Sequence, residues 1–208
     1  MNNQNISVEA VTISVDYSDY LKKIISNKEK LNRWIIVTIK EDYKTIKVCK
    51  ENKLDFICTN RLYESHSHFA KGKAINDGLD VLDKDDWLLQ LDSDTLLPDN
   101  PFIGEFDKEC IYGCSREYNG KKRVEINPYD NTVHTRPLIG FFQLWHSSKF
   151  KNYPEESPHA GIDDQLMSER YEWPDKWKYL NITCKDVSGI FCKNWYGRKY
   201  FRRYNIIK

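Results

Sequence analysis

The sequence predicts an α/β fold with a mainly parallel central sheet flanked by helices. Two observations predict it. The first half of the chain alternates short β-branched runs with segments of helical spacing, strand and helix in turn. One of those runs, Trp34 to Ile39, is apolar at all but one position, as strands are when helices cover both faces of their sheet.

In order, Val11-Thr12-Ile13-Ser14-Val15 reads as the first strand. Ser18 then offers an N-cap, and Leu21, Ile24, Ile25 and Leu31 keep mostly helical spacing to about Asn32. Trp34 to Ile39 is the second strand, Tyr43, Ile46 and Cys49 mark a second helix, and Phe56 to Thr59 form a third strand. A third helix runs from about Ser67 to Leu82 and buries Ile75, Leu79 and Leu82, and Asp85 to Leu91 is the fourth strand. Parallel strands joined in this way are connected by right-handed crossovers, and ligands bind outside their carboxyl ends.

Beyond Pro98 the segments shorten. Glu109 to Glu117 and Arg123 to Ile126 read as strands with a turn at Asn119-Gly120. Pro137 to His146 is apolar and aromatic, Gly161 to Tyr171 has helical character, and Trp177 to Val187 is a last strand. No linker, repeat or low-complexity run divides the chain, so residues 1–208 are expected to form one domain with halves at about 8–98 and 99–208.

The formal charge of +1 exerts no general pull on nucleic acid or acidic lipid, so a nucleic-acid partner is disfavoured. The basic run Gly197 to Arg203 is either a solvated terminus or a local anionic contact. No segment has the roughly 20 apolar residues of a membrane span, and no signal-peptide core follows Met1. A cytoplasmic, reducing location is therefore expected. Cys49, Cys58, Cys110, Cys114, Cys184 and Cys192 show no metal-binding spacing and read as free thiols.

The chemistry concentrates where the fourth strand ends. Leu89-Gln90-Leu91 runs straight into Asp92-Ser93-Asp94, placing two carboxylates at the carboxyl edge of a buried strand. Hard oxygen ligands of this kind suit a divalent cation, Mn²⁺ or Mg²⁺, that bridges a diphosphate and offsets the charge on its departure. A second acidic run, Asp83 to Asp86, reads as a solvated turn before the strand.

With these residues stated, the chain resembles the family 2-like glycosyltransferases of the Rossmann-like GT-A fold. Val11 to Ser18 occupies the place of the family's first strand and nucleotide-contacting turn. Lys71-Gly72-Lys73-Ala74-Ile75-Asn76-Asp77-Gly78-Leu79 is similar to its donor-side helix, Asp92-Ser93-Asp94 to its DxD motif, and Gly161 to Leu166 to its acidic segment. The resemblance implies a nucleotide-sugar donor, a UDP-sugar by preference, and a glycan or other hydroxyl-bearing acceptor. It implies a donor-binding first half and an acceptor-binding second half.

The resemblance also implies residue roles. Asp94 is the principal metal ligand, Asp92 assists on ribose or metal, and Ser93 contacts the nucleotide sugar. Asp16, Tyr17 and Thr38, with Thr59 as a weaker member, are at the nucleoside. Lys71 and Lys73 approach the donor phosphates or are solvated helix lysines, and Asn76 is either a donor contact or a structural hydrogen bonder. Asp164, or in second place Asp163, is the general base of an inverting transfer; the alternative for the pair is two acids favoured by a helix dipole. Phe142 and Trp145 either stack on an acceptor sugar or pack in the core, and His146 and His159 are alternative metal or acceptor contacts. A late metal-binding histidine common in this fold is missing from Asp186 to Ile190, where Asp186 or Ser188 stands instead. Two other functions stay open: a sugar-phosphate nucleotidyltransferase, and a catalytically degenerate protein that binds sugar nucleotide or glycan.

Overall fold

A computed structural model describes residues 6–63, 69–123, 140–155, 160–172 and 175–188. The remainder of the strand expected at Arg123 to Ile126, along with His159, Cys192 and the basic tail, lies outside these residues.

The first half follows the expected alternation. Strand β1 (Val8–Ile13) leads to helix α1 (Ser18–Lys23) and a 3₁₀ turn (Ile25–Lys30), then β2 (Arg33–Thr38), α2 (Tyr43–Glu51) and β3 (Asp55–Cys58). Helix α3 (Lys71–Leu79) and β4 (Trp87–Leu91) complete it. The expected first helix is thus broken at Ile24, and its N-cap is Tyr17, which makes no side-chain capping bond, rather than Ser18. Helix α2 is capped by Asp42, whose carboxylate accepts from the Thr45 N–H at 3.1 Å.

In the second half, β5 (Thr95–Leu96), β6 (Ile111–Tyr118), β7 (Lys121–Arg123), β8 (Phe142–His146), α4 (Ala160–Glu169) and β9 (Trp177–Asp186) follow. The order across the sheet is β3-β2-β1-β4-β8-β6-β9-β5, with β7 on β6. Strands β3, β2, β1 and β4 are parallel. Strand β8 then enters antiparallel between β4 and β6, while β9 runs parallel to β6. The Asn119-Gly120 turn joins β6 to β7 with φ of 48° and 74°, the left-handed pair that a tight hairpin needs.

Alternation along the strands divides the core between two faces of the sheet. Val8, Ala10, Trp34, Ile36, Trp87 and Leu89 meet Leu21 and Ile24 beside α1 and Val48 and Cys49 of α2. On the other face Val11, Ile13, Ile35, Val37 and Leu88 meet Ala74, Ile75 and Leu79 of α3 and Met167 of α4. Helix α3 lies so close that a Cβ at Gly78 would sit 2.6 Å from Val11 and 2.8 Å from Val37. The first half therefore presents the carboxyl ends of four parallel strands on one edge. Because β2 and β3 lie to one side of β1 and β4 to the other, the crevice between β1 and β4 is the topological switch point.

Candidate active site

Asp92 leaves β4 at this crevice. Leu88, Gln90 and Asp92 share a strand face, and the Gln90 amide donates to Asp92 Oδ1 at 3.0 Å. On the same oxygen, at 3.1 Å, stands the ammonium of Lys71, the first residue of α3. That ammonium also donates to the Gly140 carbonyl at 2.7 Å and pairs with Asp164 of α4 at 2.9 Å. One lysine thus ties the turn after β4 to the acidic helix. Gly140 permits the approach: a Cβ there would lie 1.6 Å from Asp164 Oδ2.

The Lys71 and Asp164 side chains are only 7% and 8% exposed, whereas Asp92 keeps 36%. Burial opposes the charge on Lys71, but Asp164 and Asp92 outweigh it and raise its pKa above the ordinary lysine value. Burial likewise pushes Asp164 up, against the pull of Lys71 and with Asp92 adding to the rise. The Tyr153 hydroxyl, itself buried, reaches Asp164 Oδ1 at 2.8 Å and also meets Gln143 Oε1. It carries one proton for two acceptors.

Asp94 has a different cation. Arg116 of β6 reaches Asp94 at 2.8 Å and Asp186, the last residue of β9, at 2.7 Å, both through Nη2. Asp186 in turn accepts from the Ser188 N–H at 2.7 Å and hydroxyl at 2.5 Å. Burial raises the Asp94 pKa to about 6; Arg116 opposes the rise, and Asp92 and Asp186 add to it. The Val187 N–H donates to the Asp94 carbonyl at 2.9 Å, so the turn and the end of β9 are joined through backbone as well.

Among the described residues no three His, Cys, Asp or Glu side chains are grouped as a ready-made cation site. The residues nonetheless fit a divalent ion that draws its other ligands from a bound diphosphate and water. Asp92 is 36% exposed, and among the described residues Gln90 Oε1 and Thr95 Oγ1 are buried without a hydrogen-bond partner beside the same turn. Orphaned hard oxygens at one turn are the donor set such a cation takes.

No family model matches the chain, nor does any curated protein. Solved structures do. Mannosyl-3-phosphoglycerate synthase from Rubrobacter xylanophilus is similar at a TM-score of 0.56 and 18% identity, over 97% of this chain and 72% of that one. Glucosyl-3-phosphoglycerate synthase from Mycobacterium tuberculosis, in complex with Mn²⁺, UDP and glucosyl-3-phosphoglycerate, is similar at 0.57 and 13%, over 86% and 70%. This is the GT-A fold. A third similar structure, 4-diphosphocytidyl-2C-methyl-D-erythritol synthase from Anaerococcus prevotii, matches at 0.50 and 14% over 99% of this chain and 100% of its own.

Within the GT-A frame the remaining predicted residues take distinct places. Asp16, at φ 61°, and Tyr17 follow β1 at the crevice, and the Asp16 N–H donates to Asp42 Oδ2 at 2.7 Å. Thr38 ends β2 fully buried, with its hydroxyl 3.4 Å from the same Asp42 oxygen, so it supports the crevice from beneath. Ser93 is buried in the turn between Asp92 and Asp94, and Lys73 is half-buried in the first turn of α3.

Asn76 takes the structural alternative. It donates to the Tyr153 carbonyl at 2.9 Å and to Glu155 at 2.7 Å, and it accepts from the Tyr153 N–H at 2.6 Å. Asp163 accepts from the Gly72 N–H at 2.7 Å and so engages the first turn of α3. The Lys-Gly-x-Ala-x-Asn-x-Gly pattern therefore reads as close packing as much as chemistry: Gly72 clears the Pro154 carbonyl, Asn76 clasps Tyr153 and Gly78 seats the helix on β1 and β2.

Burial and register place the residues that the sequence left open. Phe142 and Trp145 are fully buried and take the core alternative, leaving no face for an acceptor sugar. His146 pairs with Trp87 across the antiparallel ladder, so it lies at the end of β4 away from Asp92, where its Nε2 stands 3.4 Å from Asp86. Cys49, Cys58, Cys110, Cys114 and Cys184 are free, with the Cys114 and Cys184 sulfurs 3.4 Å apart. Sequence reasoning missed Asp42, Arg116 and Tyr153. An arginine on a strand that is otherwise buried at its start was the one available signal, and it names no partner.

Proposed function

We propose that the chain is a metal-dependent, inverting glycosyltransferase that moves a sugar from a nucleotide-sugar donor, a UDP-sugar by preference, to an acceptor hydroxyl. The observation that carries the reading is the single Lys71 ammonium held within 3.1 Å of both Asp92 and Asp164 at the switch point. Two acidic motifs far apart in sequence are joined there, one suited to the leaving group and one to the attacking hydroxyl. The GT-A neighbours with UDP, Mn²⁺ and Mg²⁺ support the donor and metal class.

Asp92 and Asp94 would hold the cation, which when bound supplies positive charge against the diphosphate. Asp16 and Tyr17 would line the nucleoside end of the crevice. Asp164 would accept the acceptor's proton: Lys71 and Tyr153 fix its orientation, and burial raises its proton affinity. Among the described residues Oδ2 accepts from Lys71 alone, which leaves a lone pair for that proton. Asp163, engaged by Gly72, is the weaker choice of base.

Calorimetric titration with UDP and Mn²⁺, followed by transfer assays on a panel of UDP-sugars, tests the reading. Asp94→Ala should abolish metal-dependent donor binding, and Asp164→Asn should block transfer while donor binding stays within a few-fold of the parent. Equal turnover by Asp164→Asn and the parent would remove Asp164 from the mechanism. Donor binding with no turnover on any acceptor would favour a binding protein instead.

A second reading rests on the end-to-end match to the diphosphocytidyl-methylerythritol synthase, whose product name describes a nucleotidyl transfer. Against it stands Asp16-Tyr17-Ser18-Asp19 after β1, where that chemistry favours a glycine-rich basic loop. Pyrophosphate release from a nucleoside triphosphate and a sugar phosphate would favour this second reading.

A further inference from the structure

Arg116 is more than a counter-ion. A guanidinium carries five N–H donors in a fixed fork, and both ion pairs of Arg116, to Asp94 and Asp186, use Nη2 alone. Its Nε is buried and has no hydrogen-bond partner among the described residues. The guanidinium carbon stands 5.1 Å from the centre of the Phe141 ring. Two carboxylates anchor one corner of a flat, permanently charged group, and among the described residues neither reaches its Nη1 edge.

A buried N–H left without an acceptor costs free energy unless something fills the place. The guanidinium's chemistry suits an anion with several oxygens, since a planar fork binds phosphate in bidentate fashion. The location narrows the choice further. Asp94 belongs to the turn proposed to hold the donor's cation, so an oxyanion beside Arg116 would also lie beside that cation.

We propose that Arg116 is a further substrate-binding residue, donating from the partly exposed edge of its guanidinium to the diphosphate of the donor and stabilising that group as it leaves. The proposal rests on the glycosyltransferase reading of the same site and adds to it a resident positive charge where the late histidine is missing. Asp186 is then a positioning residue, holding the guanidinium with help from Ser188.

The test uses inorganic pyrophosphate, UDP and uridine, each with Mn²⁺, titrated calorimetrically into the full chain. Removing Arg116 alone leaves Asp94 and Asp186 buried together and unpaired, so the charge-balanced variant Arg116→Gln/Asp186→Asn is measured beside Arg116→Lys. Loss of a charge-assisted bidentate contact should weaken pyrophosphate and UDP by about tenfold or more. Uridine and Mn²⁺ alone should bind as in the parent, and Arg116→Lys should recover part of the loss. Pyrophosphate affinity within twofold of the parent in a folded double variant would overturn the proposal, as would tighter binding of Mn²⁺ alone, which would make Arg116 only a competitor for the carboxylates. A parent that binds pyrophosphate but no nucleotide would count against the glycosyltransferase reading and leave Arg116 tested.

Discussion

Replacing Lys71 with methionine separates the two carboxylates it serves. Asp92 is 36% exposed and screened by solvent, so its share of the pairing is small. Asp164 is 8% exposed and cannot be rescued by water. Leaving such a carboxylate buried without its cation costs about 3–5 kcal/mol. In a chain of this size that lowers Tm by roughly 10 °C. The loss has a defined pH dependence. Burial already holds Asp164 above the ordinary carboxylate range, and without Lys71 it rises further. A group with a raised folded pKa stabilises fully below its unfolded value and loses that contribution as pH rises through the folded one. Lys71, also raised, contributes unchanged until pH passes the ordinary lysine value of 10.5. The deficit of Lys71→Met should therefore be small near about pH 4 and grow toward neutrality. Melting curves from acid to neutral pH on the parent, Lys71→Met and Lys71→Met/Asp164→Asn check this. A deficit equal at both ends, or a double variant as unstable as the single one, would refute the reasoning.

Further outcomes follow from the packing of α3 and α2. A Cβ at Gly72 would lie 1.7 Å from the Pro154 carbonyl oxygen, a backbone atom, whereas one at Gly78 meets valine methyls. Gly78→Ala should cost about 1–3 kcal/mol, and urea unfolding should show Gly72→Ala costing more; the reverse order would contradict the contacts. Asn76→Ala leaves the Tyr153 N–H and carbonyl unpaired and should cost about 2–3 kcal/mol by the same measurement. Asp42→Ala removes the cap of α2, worth about 1 kcal/mol. It also releases the Asp16 turn, so UDP affinity should fall by more than the small shift in Tm suggests; an unchanged affinity would detach Asp42 from the nucleoside end.

The first half of the fold was legible because its determinants are local. Short, β-branched apolar runs such as Trp34 to Ile39 read as strands covered on both faces, and the helical spacing between them leaves a parallel crossover as the compact solution. The same logic put Asp92 and Asp94 at a carboxyl edge. Boundaries were less legible: Ser18 is an excellent capping residue by type, yet Tyr17 takes the position, because the turn after β1 is held by Asp42 from another element.

The sequence alone determined which residues are apolar, in what period, and therefore that four strand ends share one edge with an acidic turn. Only the tertiary structure decided that Lys71 serves Asp164, 93 residues away, that Arg116 serves Asp94 and Asp186, that Phe142 and Trp145 are buried, and that His146 lies at the far end of β4. Periodicity is a property of neighbours along the chain. The pairing of buried charges is settled by which elements the sheet order brings together, and the antiparallel insertion of β8 between β4 and β6 has no local signature.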